Sequence, residues 1–395
     1  MGVDTRQEVN PLLELAKLFL KLGITAFGGP AAHIAMMEDE VVRGRKWMSR
    51  EHFLDLVGVV NLIPGPNSTQ LGILIGYTRA GIIGLIISGL SFILPAVIIT
   101  GILAAMYVKF GSVPQVAPFL IGIKPVVISV ITLAVIKLGK TAAKNIQLTI
   151  IGIAVACASL AGISPIVVLL SGGIAGIILH NKKSRVNSHK ISLWIIAAGS
   201  LVEGLFKSSD ALAAQSPEIV RVSLWKLGIF FLKIGSILYG SGYVLAAFLQ
   251  GGLVRDYNWL TQQQLLDAIA IGQFTPGPVL STATFIGYVV YGIPGAIIST
   301  IAIFLPSFIF ILILNKFLPR IKASKGMSAF MKAINVSAIG LMAAVVIQLG
   351  SSTLTNWRAV VIAVVAAFAG ERFKLNTAWL VIGGAVSGWL LQILL

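Results

Sequence analysis

No charged side chain interrupts Ile82 to Val108, a stretch long enough to cross the hydrocarbon core of a bilayer, which takes about 20 apolar residues in a helix. Pro114 to Ile136, Leu148 to His180 and Pro294 to Leu314 repeat the pattern, and Lys124 alone among Lys, Arg, Asp and Glu interrupts them. In lipid, only helices and closed barrels satisfy their own backbone polar groups, and continuous runs of this length specify helices. Composition agrees: 57% of the 395 residues are hydrophobic and 11% are charged. In a soluble domain roughly a quarter are charged. The expected class is an all-α polytopic integral membrane protein with about 10–14 membrane segments.

The same numbers exclude several functions. A net charge of +16 would suit a nucleic-acid partner, but the basic residues cluster in short loops at Arg43 to Arg50, Lys137 to Lys144, Lys182 to Lys190 and Lys316 to Lys325. That distribution marks the cytoplasmic side of a membrane protein, so the expected partner is the lipid bilayer and no nucleic acid. The lone Cys157 excludes an intrachain disulfide and a thiolate metal cluster. His33, His52, His180 and His189 lack ligand spacing and read as scattered loop or helix-end residues. An intramembrane enzyme would need a nucleophile with a positioned base, or metal ligands, and neither His-Glu-x-x-His nor Gly-x-Ser-x-Gly occurs. No catalytic residue, metal or cofactor is expected.

The chain is duplicated. "FLKLGITAFGG", Phe19 to Gly29, lies over "FLKIGSILYGS", Phe231 to Ser241, at a constant offset of 212. The same offset pairs Trp47 with Trp259, Asp55 with Asp267, and Pro64-Gly65-Pro66 with Pro276-Gly277-Pro278. After one deletion an offset of 211 pairs Gly76-Tyr77 with Gly287-Tyr288, Pro95 with Pro306 and Asn145 with Asn356. This divides the chain into an N-terminal tail (1–10), a first repeat (11–180), a linker with a basic loop and an extra apolar segment (181–222), and a second repeat (223–395). The tail carries Asp4, Arg6 and Glu8 and lacks signal-peptide order, so it is expected to be retained.

Loop charges orient the copies. Arg43, Arg45, Lys46 and Arg50 face a counterpart loop holding only Arg255, while Lys316, Arg320, Lys322 and Lys325 face one holding only Lys109. Basic loops matching basic-poor loops are expected of inverted repeats. The count of crossings works when the broken segments enter and return as hairpins and Ile191 to Phe206 crosses once; broken segments that cross as kinked helices would change the parity.

The breaks are "NLIPGPNSTQ", Asn61 to Gln70, and "QFTPGPVLST", Gln273 to Thr282. Pro-Gly-Pro cannot continue a helix, and the backbone groups it frees within a bilayer must be met by protein or by water in a cavity. A helix restarting there aims its N–H groups and positive dipole end at the gap, a ready anion site. Candidate substrate contacts are therefore Asn61, Pro64, Gly65, Pro66, Asn67, Ser68 and Thr69, and in the second copy Gln273, Thr275, Pro276, Gly277, Pro278, Ser281 and Thr282. Gly28 and Gly29, matched by Gly240 and Ser241, are either further breaks with exposed N–H groups or close-packing positions. Lys21 and Lys233 are equivalent, and either partner the substrate's charge or snorkel to the interface. Lys124 is a further cation whose counterpart is Asn335. Asp55, Asp267 and Glu38 are coupling candidates, with helix capping the alternative for the two aspartates.

The ordered set resembles the long-chain chromate ion transporter family. Its marks are "AFGGPAAHIAMMEDEVVRGRKWMS", Ala26 to Ser49, "NLIPGPNSTQLGILIGY", Asn61 to Tyr77, and "GQFTPGPVLSTATFIGY", Gly272 to Tyr288. The resemblance implies a multi-pass secondary transporter of the plasma (inner) membrane. It would export the chromate dianion and confer chromate resistance, with sulfate as close analogue and competitor. A sulfate or other oxyanion transporter and an anion channel of the same fold stay open, as does a homodimer. The second copy departs from the first, losing His33 and the Glu38-Asp39-Glu40 cluster, so the halves are not expected to contribute identically.

Overall fold

A computed structural model describes residues 10–111, 117–142, 145–181, 223–239, 242–314 and 325–393. The apolar linker segment Ile191 to Phe206 and the predicted site residues Gly240 and Ser241 lie outside the described residues. Among the described residues, fourteen α-helices with short 3-10 and π segments make up all the regular structure.

In the first repeat α1 spans Pro11–Thr25, α2 Pro30–Glu38, α3 Arg50–Val60 and α4 Asn67–Phe110. Asn10 caps α1 through the Leu12 amide, and Pro11 opens it where its missing N–H costs nothing. A π turn, Asp39–Gly44, extends α2. Ser49 caps α3 by accepting from the His52 amide. In the second repeat Thr261 does the same within a full capping box. Capping is thus not the work of Asp55 or Asp267, which sit inside their helices.

Helix α4 is two arms. It reverses at Ala80 and Gly81, where glycine takes φ 60°, ψ −146°. The arms then pack so closely that a Cβ on Gly76 would collide with Ser88 Oγ and the Gly84 carbonyl. Arg79, just before the turn, pairs with Glu14 of α1 at 2.6 Å and stacks over Trp47 at 4.1 Å. One end of the molecule therefore holds the start of α1, the loop after α2 and the α4 turn. From that end α1 descends and α2 returns, and α3 descends and the first arm of α4 returns. At about 1.5 Å per residue the descending legs, α1 of 15 residues and α3 of 11, are about 22 Å and about 16 Å long, so legs that start at one membrane surface end their breaks, Gly28-Gly29 and Pro64-Gly65-Pro66, inside a hydrocarbon core of about 30 Å. These are the expected re-entrant hairpins.

The second repeat copies the plan. Helix α8 spans Leu224–Ile237, α9 Leu245–Leu249 with a π extension Gln250–Asp256, α10 Gln262–Phe274, and α11 Thr282–Leu314 with its reversal at Tyr291 and Gly292. Its orientation is opposite. The second arm of α4 leads away from the Arg79 end, and Tyr107 in its last turn donates to Asp267 of α10 at 2.9 Å. Helix α10 thus enters from the far end. Arg255 also lies there, beside the turn at Gly162 that follows α6. Cysteine labelling at Arg45 and Tyr257 should place these loops on opposite sides of the membrane; reaction of both from one side would overturn the inverted arrangement.

The remaining helices are exchanged between repeats. Helix α5, Ala117–Ala142, packs against α13, Trp357–Arg372, and α14, Thr377–Ile393, of the second repeat. Conversely α12, Lys325–Thr353, packs against α6, Ile146–Leu160, and α7, Pro165–Asn181, of the first. Small residues allow the approach: Gly122 meets Gly384, and Gly176 meets Ala333. Four described helical stretches are long and apolar enough to span a membrane, in α4, α5, α11 and α12, and α6, α7 and α14 contain shorter apolar stretches. On α4 the exposed residues Ile82, Ile86, Leu90, Leu94, Ile98 and Ile102 recur every fourth position, and Ile293, Ile297, Ile301, Leu305, Ile309 and Ile313 repeat this on α11. In water such stripes would be untenable. They are the lipid-facing sides of an integral membrane protein.

Candidate functional site

The Pro-Gly-Pro breaks are completed across the duplication. Gly65 N–H donates to the Leu238 carbonyl at 2.5 Å, and Gly277 N–H donates to the Ala26 carbonyl at 2.9 Å. Gly65 and Gly277 are equivalent positions, and so are Ala26 and Leu238. Each break is therefore seated on the end of the first hairpin helix of the other repeat, α8 or α1. Both bonds need glycine: φ is 130° at Gly65 and 84° at Gly277, values open to glycine and costly for other residues. A Cβ on Gly65 would collide with the Gln70 amide, and one on Gly277 would lie 3.1 Å from the Gly23 carbonyl and from Ala96 Cβ. The two Pro-Gly-Pro breaks are thus held by a reciprocal, pseudo-twofold pair of bonds.

At the first break Pro66 precedes α4 and supplies no side-chain cap, which leaves the first-turn N–H groups directed at the gap. Gln70 reaches back and donates from Nε2 to the Pro64 carbonyl at 2.6 Å. Ser68, Thr69 and Gln70 are buried, whereas Asn67 donates to an exposed Asn61 at 2.6 Å. His33 is 1% exposed, between the Ala26 carbonyl at 3.0 Å and Ser68 Oγ at 3.3 Å. A carbonyl only accepts, so Nε2 carries the proton and Nδ1 accepts from the Ser68 hydroxyl. His33 is thus not the scattered loop residue expected. It ties α2 to α4 at the axis, and a single histidine without a patterned partner gave no sign of this. Its repeat counterpart is Leu245 and that of Ser68 is Leu280, both buried, so the polar pair is replaced as a unit by an apolar one.

At the second break the hydroxyls are turned inward. Thr275 donates to the Ile271 carbonyl at 2.7 Å, Thr282 to the Val279 carbonyl at 2.7 Å, and Thr100 of α4 to Ser281 at 3.1 Å. A small cavity beside Gln273 and Thr282, walled by Leu245, Leu249 and Ile131, has room for about one water.

The charged candidates separate. Gly28 is exposed and Gly29 buried, both with positive φ, so this element is a true break. Lys21 points outward, its side chain 60% exposed, and donates to Glu40 at 2.6 Å. Lys233 is also exposed. The geometry favours the snorkelling alternative for both. The Lys21 ammonium, then Arg45, hold the Glu40 carboxyl below the usual carboxylate range. Glu38 pairs with Arg50 at 3.1 Å and Asp39 with Arg43 at 2.9 Å, so the acidic cluster is matched by cations at one end of the molecule. Asp55 is exposed, whereas Asp267 is 3% exposed and pairs with Lys124 at 3.5 Å in addition to Tyr107. Lys124 is also held by Gln263 at 3.0 Å. The second aspartate alone is buried in an ionic group, because Lys124 has Asn335 as its counterpart and the α5 exchange carries it to α10.

The family model described as "Chromate transporter" matches residues 13–177 and again 225–389, one match per repeat. The chain belongs to the chromate transporter family. Relatives agree along nearly the whole length. A probable chromate transport protein of Synechococcus elongatus is 30% identical over 398 residues, covering 98% of each chain. Chromate transport proteins of Cupriavidus metallidurans and Pseudomonas aeruginosa are each 29% identical, covering 95% and 98% of this chain and 92% and 94% of theirs. No solved structure matches. In this family member the paired breaks, their reciprocal bonds and the lipid-facing stripes together define an integral membrane transporter with a polar centre.

Proposed function

We propose that the protein is a secondary transporter that moves chromate out of the cytoplasm across the plasma membrane and so confers chromate resistance. The observation that carries this reading is a pair of half-helix N-termini, each behind an uncapped Pro-Gly-Pro, whose breaks are seated reciprocally on the opposite repeat. The names of the full-length relatives supply the substrate. Substrate contacts come first from the first break, through the first-turn N–H groups of α4 and the Thr69 hydroxyl, because the hydroxyls of Thr275, Ser281 and Thr282 at the second break already have internal partners. Asp267 is the coupling candidate that remains within the protein. A tetrahedral anion held this way asks only for N–H and O–H donors. An inside-negative potential favours export by about 2.3 kcal/mol per charge per 100 mV, which can drive transport without a second ion.

Alternating exposure of the centre, not a standing pore, fits the burial of the turns that follow both breaks. The test is chromate flux in proteoliposomes of purified protein under an imposed potential, with sulfate run in parallel. Saturable, potential-driven chromate movement supports the reading. Sulfate flux without chromate flux would reassign the substrate and keep the architecture.

A further inference from the structure

The two breaks are equivalent in sequence and unequal in hydrogen bonding. At the second, Thr275, Ser281, Thr282 and Thr284 all have internal partners. At the first, three oxygens on fully buried side chains have none: Thr69 Oγ1, Gln70 Oε1 and Ser307 Oγ. Unpaired buried polar groups are costly, most of all where lipid replaces water.

These three residues share one place. Ser307 belongs to α11 of the second repeat, yet a Cβ built on Gly65 would sit 3.1 Å from its hydroxyl and 3.0 Å from Gln70 Cδ. The equivalent of Thr69 is Ser281, which bonds Thr100 of α4, and the equivalent of Thr100 is Ile311, one turn along α11 from Ser307. Thr69 therefore faces the same stretch of α11. The counterpart of Ser307 is Ala96, which meets Gly277 with a methyl group only.

Resting on the oxyanion reading above, we infer that the first break is the substrate half of the transporter, that Ser307 of the opposite repeat donates into it beside Thr69, and that the ligand is a tetrahedral oxyanion carrying a proton. The first-turn N–H groups of α4 and the two free hydroxyls are donors for the anion's bare oxygens. Ser68 is committed to His33. Gln70 Nε2 is committed to the Pro64 carbonyl, which leaves Oε1 as an acceptor in an otherwise donating turn. A bare oxygen of a dianion is repelled there, whereas an O–H is bound. Chromate takes up a proton close to neutral pH and sulfate only in strong acid. One acceptor thus separates two anions that donors alone distinguish poorly.

Around this turn α1 contributes Phe19, α3 Val60, and α11 Phe308 and Ile311, none of them charged. The titratable neighbours among the described residues are His33 of α2, bonded to Ser68, and Tyr239, which follows the Leu238 that holds Gly65. The experiment is calorimetric chromate binding to the purified full chain, from mildly acidic to mildly alkaline pH, with sulfate and phosphate as competitors. Ser307→Ala and Thr69→Val should each weaken binding about 10- to 100-fold, the effect of losing a hydrogen bond to a charged group. Alanine already occupies the equivalent position 96, so the Ser307 variant has a packing precedent. Above the pH at which chromate loses its proton, affinity should fall about tenfold per pH unit, and the slope should persist in His33→Gln. Phosphate, which keeps a proton at neutral pH, should displace chromate at least about tenfold better than sulfate. Unchanged binding in Ser307→Ala and Thr69→Val would overturn the half-site assignment while leaving the transporter reading intact. Equal competition by sulfate, or a slope abolished by His33→Gln, would overturn the protonated ligand. Absence of chromate binding by the unaltered protein at any pH would instead remove the chromate reading itself.

Discussion

Gly65→Ala should abolish chromate flux while protein continues to reach the membrane. The glycine's φ of 130° strains any residue with a Cβ, and the added methyl group would strike the Gln70 amide that holds the break closed through Pro64. Moving away from it would stretch the 2.5 Å bond from Gly65 N–H to Leu238. Backbone strain of about 1–3 kcal/mol and a lost hydrogen bond of about 1 kcal/mol combine to at least a tenfold effect on any step that needs this geometry. Gly277→Ala should be milder. Its contacts at 3.1 Å are those a small shift relieves, although its φ of 84° keeps some strain. The measurement is potential-driven chromate flux per unit of membrane-inserted protein. Flux at the normal level in Gly65→Ala would show that the reciprocal seating of the breaks is not needed for transport.

Lys124→Met should be the most destabilising single change in the described core. It strands the Asp267 carboxylate, 3% exposed, with only the Tyr107 hydroxyl beside it. Breaking a buried ion pair by removing one partner costs about 3–5 kcal/mol, whereas removing both charges is often neutral. The double variant Lys124→Met, Asp267→Asn should therefore recover most of the lost stability. Thermal unfolding in detergent gives the readout, with the two singles and the double forming a cycle. Equal losses in Lys124→Met and the double would mean that the charges do not interact across the 3.5 Å gap. Chromate flux in the stable double then reports whether the ion pair also couples transport, since a purely structural pair leaves the rate unchanged once stability is restored.

Some of this was legible before any coordinates. Charge-free runs such as Ile82 to Val108 dictate helices in lipid, and the fixed spacing between Pro64-Gly65-Pro66 and Pro276-Gly277-Pro278 reveals a repeat whose helices break twice. Loop charges announce opposite orientation because positive side chains stay inside. These are local or periodic properties, carried by short windows of the chain. The prominence given to Lys21 and Lys233 followed from their place in apolar runs, but a sequence window does not say whether a flexible lysine turns inward or outward. The structure turns Lys21 out to Glu40.

What only the tertiary structure decided are the pairings between residues far apart in the chain. The seat of Gly65 on Leu238, the exchange that brings Lys124 to Asp267, the burial of His33 against Ser68, and the approach of Ser307 to Gly65 all join segments that no spacing rule connects. The sequence by itself determined that the protein is a duplicated helical membrane protein with polar breaks. The tertiary structure decided that the equivalent breaks are unequal, because side-chain hydrogen bonds depend on which residue the opposite repeat presents, and at the first break it presents Ser307 where the second has Ala96.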